Sequence, residues 1–345
     1  MIKLMHHARV LVPALLLSLA LGGMAAAQSE PTAPADSQVG QEIEELNLEQ
    51  LLTQIQLASD QVNYQGVFVS HWANQHLVTS AITNLYQDNH LLRRIYSMDD
   101  SPIEVLRTDN QQIQLFPDRQ IVISTPIRDH EFPGLLLTKA SGIANYYFAH
   151  ELKVPGRVAG IPCKKILLEP RDDKRYGFRL CVEPVKRLLL QIETVNLKQQ
   201  IVSQTTFTQV LFDDQLDADA IQTEHEYVNW EHLKPRSDEV DLAAEGWDFT
   251  LPSGFQKVTS FKLLMGTKKE VRQLTLSDGL SSFSLFIQEL DQQEREHYGQ
   301  SDLVEGPVNI YSRRLGNYWL TALGAIPIAT LQAVAESAQH RSLAE

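Results

Sequence analysis

The chain has 345 residues and a formal net charge of −13, because 43 acidic residues outnumber 30 lysines and arginines. This acidic balance argues against nucleic acid as a partner, since nucleic acid selects basic surfaces, and it provides no overall attraction to an anionic membrane. A single hydrophobic core is unusual at this length, so we expect two domains.

The first 27 residues have the pattern of a secretory signal peptide. Lys3 and Arg9 precede an apolar run over 10–22, and small residues lead up to Ala27. We predict that cleavage after Ala27 removes residues 1–27 and leaves a soluble, exported chain. Losing two basic residues takes its net charge from −13 to −15. The alternative is an uncleaved anchor helix, although the apolar run is shorter than the roughly 20 residues of a membrane span.

Residues 28–40 follow this leader and are rich in Pro, Ala, Ser and Gln, a composition typical of disorder. A helix is predicted next, where Asn47 can cap the first turn and Gln50 completes a capping box. Its apolar residues recur at helical spacing, and they are Leu48, Leu51, Leu52 and Ile55.

Residues 64–212 read mainly as short strands, in which apolar residues alternate and turn-forming residues break the pattern, as at 87–89 and 108–110. Roughly ten or eleven strands in succession predict a large curved antiparallel sheet or a barrel. We assign this sheet and the preceding helix to an N-terminal domain over 41–212.

The rest of the chain divides into a linker and a second domain. Residues 213–245 contain eleven Asp and Glu against only Lys234 and Arg236, and they show little periodicity, which predicts a solvated acidic linker. Residues 246–345 alternate like strands again and end in a helical pattern that starts at Pro327. We therefore predict a small C-terminal α+β domain, and a β-rich α+β class for the whole chain.

The chain has two cysteines, Cys163 and Cys181, which lie in strand patterns on either side of a turn. Pairing Leu168 with Tyr176 sets the cysteines directly opposite each other on the polar face of a hairpin. Facing residues lie about 4.5–5.5 Å apart, within the range of a disulfide, and an exported chain meets oxidising conditions. We predict a Cys163–Cys181 disulfide, which contributes at most about 3 kcal/mol in the loop-entropy model. Two free thiols are the alternative.

The sequence contains no recognisable catalytic motif. There is no nucleophile elbow, metalloprotease helix, P-loop or dinucleotide fingerprint. His71 and His76 flank a turn without an evident third metal ligand. We therefore predict no catalytic residue, no metal site and no cofactor, and we favour a binding protein over an enzyme. An enzyme with an unrecognised site is the lesser alternative.

Two sets of residues are candidates for ligand binding. A strongly curved sheet can hold apolar cargo in its concave face. Six apolar residues are candidates to line this face or, equally, to pack the core, and they are Phe68, Leu135, Leu136, Leu137, Tyr147 and Phe148. Basic doublets on strands could contact an anionic ligand, with a solvated strand face as the default, and they are Arg93, Arg94, Arg313 and Arg314.

Segments 251–258, 277–290 and 306–338 resemble the C-terminal domain of the RseB/MucB family, and 63–72 and 90–107 are similar to its N-terminal domain. Members of this family are periplasmic negative regulators of the envelope-stress sigma factor. The resemblance implies that the chain binds the periplasmic part of a membrane-spanning anti-sigma factor and shields it from regulated proteolysis. It also implies that the large domain is an incomplete barrel with an apolar cavity, similar to lipoprotein carriers of the LolA/LolB type.

The resemblance further implies release of the partner by lipid-like signals, with lipopolysaccharide or lipoprotein acyl chains as the expected ligands, and it allows a homodimer. Cys181 departs from the family pattern, which would have an aromatic or aliphatic strand residue there. The alternative function is a periplasmic lipid or lipoprotein carrier, which would explain the large β domain but not the second domain.

Overall fold

The structure is a computed structural model that describes residues 41–43, 45–72, 77–99, 102–125, 132–135, 140–233, 237–265, 269–291, 301–304, 306 and 308–341. The predicted signal peptide, its cut site and the tail over 28–40 lie outside these ranges. Within them, no helix is both long enough and apolar enough to cross a membrane.

Helix α1 (Glu45–Gln61) confirms the predicted helix, but it begins two residues before Asn47, so the predicted cap lies inside the helix. Its buried face consists of Leu48, Leu52 and Ile55, each at most 1% exposed. These residues stand at the spacing that lines one side of a helix. The face packs into a core that it shares with strands of the large sheet.

The first sheet follows the succession of short strands in the sequence. Its strands are β1 Gln41–Glu42, β2 Tyr64–Trp72, β3 Val78–Gln87, β4 His90–Ser97, β5 Glu104–Arg107, β6 Gln112–Phe116, β7 Ile121–Thr125, β8 Tyr147–Glu151, β9 Gly156–Val158, β10 Ile161–Pro170, β11 Gly177–Val182, β12 Leu189–Val195, β13 Ile201–Phe212 and β14 Glu231–Leu233. Their order is β1-β8-β10-β11-β12-β13-β2-β3-β4-β5-β6-β7-β14, and β9 pairs with β10. In the described part of the chain this path does not close on itself, so a large sheet that is not a complete barrel is confirmed.

The hairpin of β10 and β11 has a different register from the predicted one. Leu168 faces Phe178 rather than Tyr176. The reason lies outside the hairpin, because Tyr176 belongs to the turn and is only 8% exposed. Its hydroxyl accepts a hydrogen bond from Asn309 Nδ2 of the second sheet at 3.0 Å. A contact with a distant segment therefore takes Tyr176 out of the strand.

The disulfide between Cys163 and Cys181 is confirmed, with Cα atoms 5.4 Å apart. The two cysteines are not direct cross-strand partners, since Cys181 faces Lys165 and Cys163 faces Gly156 of β9. Both are at most 6% exposed, in contrast to the polar face that the predicted register required. The disulfide therefore joins β10 to β11 inside the core.

The second sheet and its helix confirm the predicted small α+β unit. The strands are β15 Ser237–Glu239, β16 Trp247–Asp248, β17 Gln256–Met265, β18 Lys269–Ser277, β19 Ser282–Glu289, β20 Ser301–Val304, β21 Asn309–Leu315, β22 Tyr318–Gly324 and β23 Gln339–His340. The second sheet has the order β15-β17-β18-β19-β22-β21-β20, and β16 and β23 form a separate two-stranded sheet. Helix α2 (Ile328–Ser337) buries Leu331, Val334 and Ala335 in the core of this sheet.

Residues 213–245, here called the connecting segment, join the two sheets. Its strand β14 runs parallel to β7 at the edge of the first sheet, and its strand β15 runs antiparallel to β17 at the edge of the second. Most of its described residues are exposed or half-buried, as expected for an acidic segment. The predicted domain bounds on either side of it stay a prediction.

Candidate functional site

The predicted cavity residues do not share one surface. Phe68 is 8% exposed and lies in an aromatic cluster, whereas Leu135 and Tyr147 lie in a separate cluster beneath α1. Phe148 follows Tyr147 on β8, points to the opposite face and is 39% exposed. A lining role for these residues stays a prediction. Two further candidates lie outside the described residues, and they are Leu136 and Leu137.

An aromatic cluster around Phe68 forms where β2 packs beside β13. Phe68 and Phe207 meet edge to face with ring centroids 6.1 Å apart. Phe132 lies 5.2 Å from Phe68 and 5.0 Å from Phe207. Phe132 is half-buried and also packs against the core beneath α1, so it links the two apolar regions. Such tilted and edge-on ring pairs stabilise a cluster beyond the area that they bury.

Arg93 supports the fold from inside. It is 2% exposed, its Nε donates to Asn84 Oδ1 at 2.7 Å, and its Nη2 donates to Asp60 Oδ1 at 2.9 Å and to the carbonyl of Ser59. These bonds hold the end of α1 against β3 and β4. The predicted role of Arg93 as an anionic-ligand contact does not fit this burial.

Arg313 and Arg314 lie on β21, in a different sheet from Arg94. Arg313 Nη1 donates to the carbonyl of Glu336 at 3.0 Å, and Arg314 Nε donates to the carbonyl of Gly316 at 3.0 Å. Both side chains are half-buried. The structure therefore separates the basic candidates into two groups, and a role for these arginines in binding an anionic ligand stays a prediction.

Arg94 lines a polar pocket between the first sheet and the connecting segment. Its Nε lies 2.5 Å from Glu104 Oε1, and its guanidinium lies 4.9 Å from the centre of the Tyr96 ring. Glu104 is 2% exposed, and its second oxygen accepts a hydrogen bond from the Thr223 hydroxyl at 2.6 Å. The buried carboxylate thus ties the connecting segment to the sheet, beside a pocket of about 320 Å³.

The two sheets belong to one compact unit over Gln38–Glu345, and a buried ion pair joins them. Arg175, in the β10–β11 turn, places Nη1 2.6 Å from Asp278 Oδ2 in the β18–β19 turn, and both side chains are 0% exposed. The guanidinium also donates two hydrogen bonds of 3.0 Å to Asp172 and one to the carbonyl of Ser253. Because Arg175 bonds to both sheets, it fixes one on the other at this point.

The turn that carries Asp278 also enters the core of the first sheet. The Tyr147 hydroxyl donates to Asp278 Oδ2 at 3.0 Å and lies 3.0 Å from the Ser281 hydroxyl. Leu280 is 7% exposed and packs in the cluster beneath α1. We call the set Tyr147, Arg175, Asp278, Leu280 and Ser281 the junction. It combines a buried charge pair with apolar contact, so separating the sheets would expose both.

Burial determines the protonation states at the junction. Burial raises the pKa of the Tyr147 hydroxyl well above its ordinary value, and the nearby charge of Asp278 raises it further. Burial also disfavours the charged form of Arg175, but hydrogen bonds to Asp172 and the charge of Asp278 outweigh this effect, so the pKa of Arg175 is raised. Arg175 is therefore charged and Tyr147 neutral at ordinary pH.

Sequence reasoning missed the junction. Arg175 lies in the turn between the two cysteine-bearing strands, and Asp278 lies in a Ser-Asp-Gly sequence typical of a hairpin turn. Turns are usually exposed. Hydrophobic periodicity reports the buried face of a helix or strand, and it gives no information about a turn residue. The meeting of two turns from different sheets is a tertiary event for which the sequence carries no local signal.

Comparison with known proteins gives matches over both sheets. Residues 47–225 match the family model of the MucB/RseB N-terminal domain, and residues 241–339 match that of the MucB/RseB C-terminal domain. The chain is 27% identical over 302 residues to the sigma factor AlgU regulatory protein MucB of Pseudomonas aeruginosa, covering 85% of this chain and 91% of that protein. It is 24% identical over 313 residues to the sigma-E factor regulatory protein RseB of Haemophilus influenzae, covering 86% of this chain and 93% of that protein.

Solved structures give a similar result. A crystal structure of MucB in complex with MucA(peri) superposes with a TM-score of 0.67 at 25% identity, covering 85% of this chain and 98% of that chain. The complex structure of Pseudomonas aeruginosa MucA/MucB gives a TM-score of 0.68 at the same identity and the same coverage. The likeness therefore extends over most of both chains.

Proposed function

The chain belongs to the MucB/RseB family, and from this premise we propose that it is a periplasmic regulatory protein that binds the periplasmic part of a membrane-spanning anti-sigma factor. The observation that carries the proposal is the likeness over most of the chain to a MucB solved together with MucA(peri). The likeness extends over both sheets, so it includes the second sheet, which a lipid carrier alone would not require.

The proposed mechanism is steric. Binding covers a protease-sensitive stretch of the anti-sigma factor and so protects it from regulated proteolysis. A lipid-like signal, either lipopolysaccharide or the acyl chains of a lipoprotein, releases the partner because it binds the free regulator better than the complex. The aromatic cluster around Phe68 and Phe132 is the apolar region that we assign to acyl chains. A change in the orientation of the second sheet across the connecting segment would transmit the signal.

The binding step is tested by isothermal titration calorimetry. The mature chain, residues 28–345, is titrated with the periplasmic segment of the anti-sigma factor from the same organism. We expect saturable binding, and no binding to a segment of the same composition in scrambled order. If the folded chain binds neither segment, the regulator proposal fails. The lipid or lipoprotein carrier then becomes the leading function, and native mass spectrometry for bound acyl chains would examine it.

Shielding and release are tested by limited proteolysis of the anti-sigma segment. We expect the segment to be cleaved more slowly when the chain is bound, and the rate to recover when lipopolysaccharide is added. A detergent that lacks the lipopolysaccharide head group serves as the control. Unchanged cleavage on binding would rule out shielding. Protection that survives lipopolysaccharide would rule out this signal.

A further inference from the structure

The pocket beside Arg94 has two kinds of wall. The first sheet contributes Arg94, Tyr96, Ile103 and Glu104, and the connecting segment contributes Glu224 and His225. Its volume of about 320 Å³ is near the lower end of the range for small-molecule sites, and it suits one long side chain better than an acyl chain. The connecting segment therefore both joins the two sheets and forms one side of this pocket.

The charges of the pocket sum to a negative value. Arg94 is neutralised by Glu104, which is 3% exposed in its side chain and lies 2.5 Å away. His225 Nε2 lies 3.8 Å from the same carboxylate. The second carboxylate, Glu224, is exposed, and in the part of the chain that the structure describes no hydrogen bond or ion pair engages it. A cationic group is therefore the complementary occupant.

Part of the pocket lining is apolar. Among these residues, Tyr96 is 37% exposed and Ile103 38%. Ile103 lies opposite Ser97, another residue of the lining, because the amide of Ser97 donates to the carbonyl of Ile103 at 2.9 Å. Apolar side chains in the same pocket as a carboxylate match a lysine or arginine side chain, whose aliphatic stem packs on apolar surface while its charged head reaches a polar partner.

We propose that this pocket accepts a lysine or arginine side chain of the protein partner, with its charged head at Glu224 and its aliphatic stem along Ile103. The inference rests on the proposed function, since the partner is the anti-sigma segment. Charge complementarity supports a basic contact, because the chain carries a net charge of −13 and the connecting segment is dense in carboxylates.

Occupancy of the pocket also has a consequence for the connecting segment. The Thr223 hydroxyl donates a hydrogen bond to Glu104 of the first sheet. Further along the same segment, β15 pairs with β17 of the second sheet. A partner side chain held between Glu224 and Ile103 would bind the segment to the first sheet. The pocket is thus placed where binding of the partner restrains the path between the two sheets.

A pair of charge-neutralising variants tests the pocket. Glu224→Gln removes the free carboxylate, and Glu226→Gln makes the same change two residues away, on an exposed side chain that does not line the pocket. Calorimetry is run with the full mature chain and the anti-sigma segment. We expect Glu224→Gln to raise the Kd about fivefold to tenfold, and Glu226→Gln to change it by less than about twofold.

A double-mutant cycle then identifies the occupant. Each Lys and Arg of the anti-sigma segment is replaced in turn by Gln and titrated against the wild type and Glu224→Gln. One position is expected to lose its effect in the Glu224→Gln background. Equal Kd values for the two variants, or a loss of affinity that couples to no basic residue of the partner, would overturn the pocket inference. Failure of the wild type to bind at all would instead overturn the proposed function.

Discussion

Tyr147 shows how one side chain can serve two sheets. Its ring packs 6.1 Å from the ring of Phe178 in the core of the first sheet. Its hydroxyl bonds to Asp278 and Ser281 of the second sheet, each at 3.0 Å. The aromatic body accounts for its prediction as an apolar lining residue. The polar end finds its partners only because two distant turns meet.

The raised pKa of Tyr147 predicts a loss of stability at alkaline pH. In the unfolded chain the hydroxyl ionises near its ordinary pKa of 10.0, while burial and Asp278 keep it neutral in the folded chain. Its contribution is therefore fully present below pH 10.0 and is lost as the pH rises above that value. The loss is about 1.4 kcal/mol per pH unit for each such group.

Urea denaturation from about pH 9 to about pH 11 measures this effect. Tyr147→Phe should show a shallower decline in unfolding free energy than the wild type. Tyr86→Phe is the matched control, because the Tyr86 hydroxyl lies in an exposed hydrogen bond with Asn89, and it should keep the wild-type slope. If the unfolding free energy of Tyr147→Phe declines as steeply with pH as that of the wild type, the pKa of Tyr147 is not raised by folding.

At the scale of elements, three strands meet at the disulfide. β9 places Gly156 opposite Cys163 of β10, and the bond continues to Cys181 of β11. A Cβ atom at Gly156 would lie 2.6 Å from the sulfur of Cys163 and 2.7 Å from that of Cys181. Gly156 is therefore needed for space, since real Cβ atoms do not approach sulfur so closely.

This packing predicts a coupling between Gly156 and the disulfide. Gly156→Ala should lower the unfolding free energy by about 1–3 kcal/mol, the usual cost of an overpacked core. In a Cys163→Ala, Cys181→Ala background, which itself costs about 3 kcal/mol by the loop-entropy model, the same substitution should cost less because both sulfurs are gone. Urea denaturation of the four proteins measures the coupling.

Gly306→Ala is the control for this cycle. The nearest atom to a Cβ at Gly306 is the carbonyl oxygen of Val308 at 3.6 Å, an ordinary contact. Its effect should be small and the same with or without the disulfide. If Gly156→Ala costs as much in the cysteine-free background as in the wild type, the sulfurs are not the source of its strain.

At the scale of the whole molecule, the junction determines how the second sheet is attached. One carboxylate oxygen of Asp278 accepts a hydrogen bond from the Arg175 guanidinium. The other accepts hydrogen bonds from the backbone amides of Leu280 and Ser281. One carboxylate therefore shapes its own turn and binds the other sheet. Removing one partner of a buried ion pair leaves the other charge without compensation, and this costs more than the pair itself contributes.

Arg175→Met is predicted to destabilise the chain by about 3–5 kcal/mol, because Asp278 stays buried without its counter-ion. Lys174→Met is the matched control, since the Lys174 side chain is 50% exposed and lies 2.6 Å from Asp173. An exposed pair of this kind contributes about 0–1 kcal/mol. Chemical denaturation measures the unfolding free energy of both variants. Arg175→Met, unlike Lys174→Met, should also show faster protease cleavage of the connecting segment. A result for Arg175→Met close to that of Lys174→Met would refute a structural role for the junction.

Much of the architecture could be predicted because it depends on local patterns. The apolar spacing of Leu48, Leu52 and Ile55 predicted α1, and alternation predicted the strands of both sheets. The spacing of Cys163 and Cys181 around a turn predicted the disulfide even though the register was off by two residues. The candidate site was predicted less well, since Phe68, Tyr147 and Phe148 lie in different surroundings.

The sequence by itself determined the β-rich class of the fold, helix α1 and the pairing of the two cysteines, because these depend on periodicity and spacing along the chain. Strands β14 and β15 lie in a segment with little periodicity, and they form by pairing with β7 and β17. Only the tertiary structure decided which charges are buried. Arg93 and Arg175 look like surface residues in a strand and a turn, and they are buried because Asp60 and Asp278 come from distant segments to balance them. A buried charge is stable only where folding supplies its partner, and no local pattern records that partner.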